Sequence, residues 1–115
     1  MSVKIYHNPR CSKSRQTLQL LQDQGIEPEI FEYLKTAPTT TELEDILQKL
    51  NMEPRELMRK REAEYKATGM DNPDLNRQAL IQGMVDTPKL IERPIVLANG
   101  KAAIGRPPED VLNII

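Results

Sequence analysis

This sequence of 115 residues is short of the groups that simple folds lean on. It has no tryptophan and only three tyrosines and one phenylalanine, so its core must be aliphatic. It has a single cysteine, Cys11, which excludes an internal disulfide, and a single histidine, His7. One Cys and one His cannot supply a Cys/His zinc centre, so no metal site is expected. No apolar run approaches the roughly 20 residues of a membrane span, and Met1–Tyr6 carries no signal-peptide core. Charge is balanced at −1, with a pI near 5.9, which argues against a nucleic-acid binder. What remains is 38% apolar and 29% charged residues, a composition for one reduced, cytoplasmic domain spanning residues 1–115.

The balanced total hides a pattern. Residues 1–22 carry Lys4, Arg10, Lys13 and Arg15 and no acid. The middle of the chain is acidic, and residues 89–106 turn basic again with Lys89, Arg93, Lys101 and Arg106 against Glu92. Two basic segments far apart in sequence can form one positive site if the fold joins them. A small anion suits such a site.

Alternation in Val3–Tyr6 predicts a strand that stops at His7-Asn8-Pro9. Ser12 and Ser14 offer caps for a helix over about 12–24, closed by Gly25. Residues 29–33 predict a second strand, which makes a right-handed βαβ unit with parallel strands. Thr39 and Glu42 form a capping box ahead of Leu43, Ile46, Leu47 and Leu50, spaced as a helical stripe. A short helix is predicted from Pro54, and another between Asn76 and Pro88. Residues 61–69 are charged and weakly patterned, which predicts loop or frayed helix. Asn99-Gly100 between Ile95–Ala98 and Lys101–Ile104 is a strong hairpin signal. Pro107-Pro108 opens a last helix with Val111, Leu112 and Ile115 on one side. The order fits an α/β fold with one mixed four-stranded sheet and a helical insert. Met52, Met58, Met70 and Met84 read as core filler.

Cys11 lies between a strand end and a helix start, where N–H groups and the helix dipole favour an anion. A thiol there ionises more readily than a free cysteine, with its pKa of about 8.5. Arg10, Lys13, Arg15 and His7 are close in sequence and push the same way. A phosphatase loop would need Cys-x5-Arg, but Thr17 stands in the arginine position. A dithiol would need Cys-x-x-Cys, but the segment is Cys11-Ser12-Lys13-Ser14, so turnover through a disulfide must borrow an external thiol. A cysteine-protease site would use His7 as base, and no orienting group is evident.

Tyr6-His7-Asn8-Pro9-Arg10-Cys11-Ser12-Lys13-Ser14-Arg15 resembles the active-site segment of the glutaredoxin-coupled arsenate reductase (ArsC) family. Glu92-Arg93-Pro94-Ile95-Val96 and Gly105-Arg106-Pro107-Pro108-Glu109 resemble its downstream motifs, and Glu56–Lys60 its mid-chain arginine segment. The resemblance covers essentially the whole chain and is strongest to the short, YfgD-like branch. It implies a thioredoxin-like fold with an inserted helical segment and a cis peptide before Pro94. It implies Cys11 as nucleophile on arsenate, His7 and Ser14 as groups that favour the thiolate, and Arg59, Arg93 and Arg106 as oxyanion ligands. Arginine suits that role because its planar fork pairs two oxygens at once. No bound cofactor is implied. Glutathione would be the external reductant and glutaredoxin the protein partner, with no nucleic-acid or membrane partner and a monomeric chain. Within the same fold, a transcription-regulating Spx-like binding protein and a glutathione-linked thiol oxidoreductase with another substrate are the alternatives. Cys-Ser-Lys-Ser with three arginines favours the reductase.

Overall fold

In the computed structural model, which describes residues 2–115, the chain separates into two compact units. The first comprises residues 1–35 and 93–115, the second residues 36–92.

The first unit is built on a four-stranded sheet. Its strands are β1 (Val3–Tyr6), β2 (Glu29–Phe31), β3 (Ile95–Ala98) and β4 (Lys101–Ile104), in the order β2-β1-β3-β4. β1 and β2 run parallel, joined by helix α1 (Ser12–Asp23), as the βαβ pattern requires. β3 runs antiparallel to both β1 and β4. Asn99 and Gly100 turn the hairpin with positive φ of 54° and 72°, the conformation that an Asn-Gly pair tolerates. Val3, Ile5, Leu21, Val96, Ala98, Val111 and Ile114 form the core of this unit. β2 is shorter than its apolar pattern suggests. It ends at Phe31, and Lys35 N–H closes a turn on Glu32 C=O at 3.0 Å. This is the thioredoxin-like arrangement, with the peptide before Pro94 in the cis form; the peptide before Pro107 is cis as well.

The terminal segment departs from the expected α-helix. Pro108–Ile114 is a 3-10 helix. Its three-residue turn buries Val111 and Ile114 together, while Leu112 and Ile115 stay half-buried.

The second unit holds α2 (Thr40–Leu50), α3 (Ala63–Ala67) and α4 (Arg77–Asp86), with 3-10 turns at Pro54–Leu57 and Pro88–Leu90. The Thr39–Glu42 capping box is closed in both directions, at 3.1 and 2.9 Å. Asn76 caps α4 through Ala79 N–H at 2.9 Å. Leu43, Ile46, Leu47, Leu80, Ile81 and Met84 are all buried where α2 meets α4. The charged stretch 61–69 contains α3, which buries Tyr65 and ends at Gly69 with φ +77°. One buried aromatic, rather than an apolar period, fixes this helix. Arg77, at the start of α4, carries two ion pairs. It reaches Glu44 at 2.5 Å and Glu53 at 3.2 Å.

Candidate active site

The site grows from the junction of β1 and α1. Asn8 C=O accepts from Cys11 N–H at 3.0 Å, and Asn8 Oδ1 accepts from Arg10 N–H at 3.0 Å, so the chain turns tightly into the helix. Cys11 itself is the N-cap, in extended conformation, and no hydrogen bond from a side chain closes the cap. Ser12 and Ser14, the caps that the sequence offers, do not serve. Ser12 is exposed and helical, and Ser14 turns inward.

Ser14 is fully buried with its Oγ 2.6 Å from His7 Nδ1, and it accepts from Asn8 N–H at 3.0 Å. His7 is 6% exposed, and burial holds its pKa below the usual histidine value. The nearby Glu32 pulls the other way, and Arg15 reinforces the lowering. His7 is therefore a neutral imidazole at neutral pH, not the cation that its place in the sequence suggests. What it provides is a fixed partner for Ser14.

Cys11 is 8% exposed. Burial pushes its thiol up, and this is the largest single influence. It is outweighed by the Ser14 and Lys13 N–H groups, which face the sulfur, and by the charges of Arg93 and Arg106, so the thiol lies below its ordinary pKa. Arg106 Nη2 donates to Cys11 Sγ at 3.7 Å across 95 residues of sequence. Its Nε donates to Arg93 C=O at 2.8 Å, which ties the two arginine segments together. Arg15 instead spends a donor on Pro9 C=O at 2.9 Å. The neighbouring Ser14 and Lys13 N–H groups act on the sulfur locally, while the charged side chains that lower its pKa come from the far basic segment.

Pro94 and Gly105 hold that segment. Gly105 N–H donates to Pro94 C=O at 3.0 Å. Gly105 is buried, and a Cβ there would collide with Thr17 Oγ1 and come within 2.8 Å of Pro94 Cγ. Thr17 is itself fully buried, and its Oγ1 donates to Lys13 C=O at 2.8 Å. The sequence marks Thr17 only as a missing phosphatase arginine. Its role as the surface on which Gly105 rests depends on the packing.

The first unit thus brings His7, Cys11, Ser14, Arg93, Pro94 and Arg106 into one neighbourhood. Arg59 belongs to the second unit, where its guanidinium pairs with Glu62. No group of three or more metal-ligating side chains exists among the described residues, and no helix there is long and apolar enough to cross a membrane. The chemistry open to such a site is thiolate attack on an electrophile that guanidinium groups can hold, an oxyanion above all.

Comparison with known proteins points the same way. The ArsC family pattern matches residues 6–114. The chain is 59% identical to the protein YfgD of Escherichia coli (strain K12), over 98% of this chain and 96% of that one. It is 53% identical to an arsenate reductase of Neisseria meningitidis, over 95% of this chain and 94% of that one. Among solved structures, the arsenate reductase from Vibrio cholerae superposes with a TM-score of 0.97 at 52% identity, covering 100% of this chain and 98% of that one. With the cysteine turn, the Arg93-Pro94 and Gly105-Arg106 motifs and this whole-length similarity together, the chain belongs to the ArsC family.

Proposed function

We propose that this protein is a glutathione- and glutaredoxin-dependent arsenate reductase with Cys11 as its nucleophile. The observation that carries the reading is the Arg106 guanidinium 3.7 Å from a buried thiol whose pKa is lowered. An inert buried cysteine has no need of such a partner. Relatives of more than half-identical sequence bear the name arsenate reductase, which supports arsenate as substrate.

The sequence of bonds follows from the presence of one thiol. The Cys11 thiolate displaces an arsenate oxygen, which leaves as water, and an S–As(V) bond forms. Arg93 and Arg106 hold the remaining oxygens and disperse their charge. A glutathione thiol displaces a second oxygen, again as water. A glutaredoxin thiolate then attacks the glutathione sulfur. A disulfide forms, and the electron pair of the broken S–As bond passes to arsenic, which is reduced from +5 to +3. Water cleaves the Cys11–As bond and releases arsenite and the thiolate. Cys11-Ser12-Lys13-Ser14 has no second sulfur to take over either thiol step.

The test is arsenite formation with glutathione and glutaredoxin present, for the natural chain and Cys11→Ser. Turnover that survives in Cys11→Ser would falsify the reading. A glutathione-linked oxidoreductase acting on another substrate would leave arsenite absent in both.

A further inference from the structure

Cys11 is flanked by three cations that the chemistry above does not use. Arg10, Lys13 and Arg15 are all exposed. The charges that lower the Cys11 thiol are those of Arg93 and Arg106. At the sulfur, Lys13 contributes its backbone N–H and not its ammonium. None of the three is ion-paired among the described residues, and residues 1–22 contain no acid to pair with them locally. They do not serve the helix either. Lys13 and Arg15 stand in the opening turn of α1, where the dipole favours acids and opposes cations, and that turn has no acid. Arg15 spends one donor on Pro9 C=O at 2.9 Å, which ties its side chain to the turn before Cys11.

The turn that carries the thiol therefore also carries a positive rim turned to solvent. Its charges disfavour the helix and are silent at the sulfur, so their field is left for a molecule that approaches Cys11 from outside. The oxyanion has its own guanidinium at the sulfur, Arg106 at 3.7 Å. The other molecule that must reach Cys11 is a thiol, because Cys11-Ser12-Lys13-Ser14 holds no second sulfur. Glutathione carries two carboxylates against one ammonium and arrives as a net anion. Its glycine carboxylate lies only a few bonds from its sulfur, within the span of an arginine or lysine side chain beside the cysteine.

We propose that Arg10 and Lys13, with Arg15 beside them, are the docking rim for the carboxylates of the incoming thiol, so that the site selects an anionic thiol over a neutral or cationic one. This rests on the reading of external glutathione as the thiol that attacks at Cys11. The rim acts on the approach and binding of that thiol and leaves the Cys11 pKa to Arg93 and Arg106. Its attraction works at the surface, so salt screens it.

The experiment is thiol exchange on the full chain carrying an uncharged 2-pyridyl disulfide at Cys11. An incoming thiolate attacks the Cys11 sulfur, a new disulfide forms, and pyridine-2-thiolate leaves and is read by absorbance. The thiols are glutathione, neutral 2-mercaptoethanol and cationic cysteamine. The variants are Arg10→Gln, Lys13→Gln and both together, with Lys101→Gln, exposed at the far end of β4 from Arg106, as control. Rates are compared as variant over natural chain for each thiol, which cancels the intrinsic reactivity of the thiol. The double variant should slow glutathione about three- to tenfold, leave 2-mercaptoethanol unchanged and speed cysteamine. At about 1 M salt, where the Debye length is about 3 Å, the three ratios should converge on one. The iodoacetamide midpoint of Cys11 should stay where it is. Equal ratios for all three thiols at low salt would overturn the rim, whether the cations serve an acidic protein instead or only shape the turn. A glutathione effect that survives high salt, or one matched by Lys101→Gln, would overturn it too. The exchange uses no arsenate, so a failure of the reductase reading shows in the arsenite assay alone.

Discussion

At Cys11 the competition is between burial, which disfavours a charged sulfur, and the dipoles and guanidinium groups that favour it. The second set prevails, so alkylation of Cys11 should rise with pH through a midpoint below that of a free cysteine and then level off. Arg106→Ala removes a positive charge 3.7 Å from the sulfur and should move this midpoint upward. A stopped-flow iodoacetamide profile for both proteins checks it, and an unmoved midpoint would show that Arg106 does not act on the thiol. His7→Ala should act differently. The imidazole is already neutral near pH 7, so the loss is of Ser14's partner rather than of a charge. The basic neighbours of Cys11 in the sequence divide here into a neutral scaffold, His7, and an exposed rim, while the guanidinium at the sulfur comes from Arg106, far along the chain.

Helix α1 begins without an oxygen cap, because its N-cap position is occupied by Cys11. A serine oxygen there is a better acceptor than a thiol sulfur for the Lys13 and Ser14 N–H groups that face this position. Cys11→Ser should therefore be more stable than Cys11→Ala by about 1 kcal/mol in urea titration, although both lose turnover. Equal stabilities would mean that the cap position is solvated in both. Where β4 ends, Gly105 lies against Thr17 and Pro94 with no room for a side chain. Gly105→Leu should destabilise by about 1–3 kcal/mol. It should also raise the Cys11 alkylation midpoint, because Arg106 is carried outward with the displaced backbone. An unchanged midpoint would separate the packing of β4 from the placement of Arg106. The capping box of α2 was legible from Thr39 and Glu42 alone, since both partners lie within one turn. The helix over 63–67 was not, because it rests on the burial of Tyr65 and on the Glu64–Lys89 ion pair rather than on an apolar period.

For the molecule as a whole, binding of an oxyanion at this site must appear as added stability, since the unfolded chain holds no converged guanidinium groups. At 100 times its Kd, arsenate should stabilise the protein by about 2.7 kcal/mol. A differential-scanning series in arsenate, with chloride at matched ionic strength, measures this. Arg106→Ala should lose most of the difference, and a gain kept in full by that variant would place the anion elsewhere.

The sequence by itself determined the local elements. The β3–β4 hairpin and the capped helices α2 and α4 lie where Asn-Gly and the capping residues put them, because each is fixed by interactions within a few residues, and β1 lies where its alternation puts it. It also marked Cys11 and the arginine motifs as candidates, through their resemblance to the ArsC family. Only the tertiary structure decided which charges matter at the sulfur. Arg106 reaches Cys11 because β4 returns beside β3 and Gly105 closes on Thr17, a contact between residues 88 positions apart that no local pattern encodes. Burial, likewise a product of packing, lowers the His7 pKa and sets its ring against Ser14.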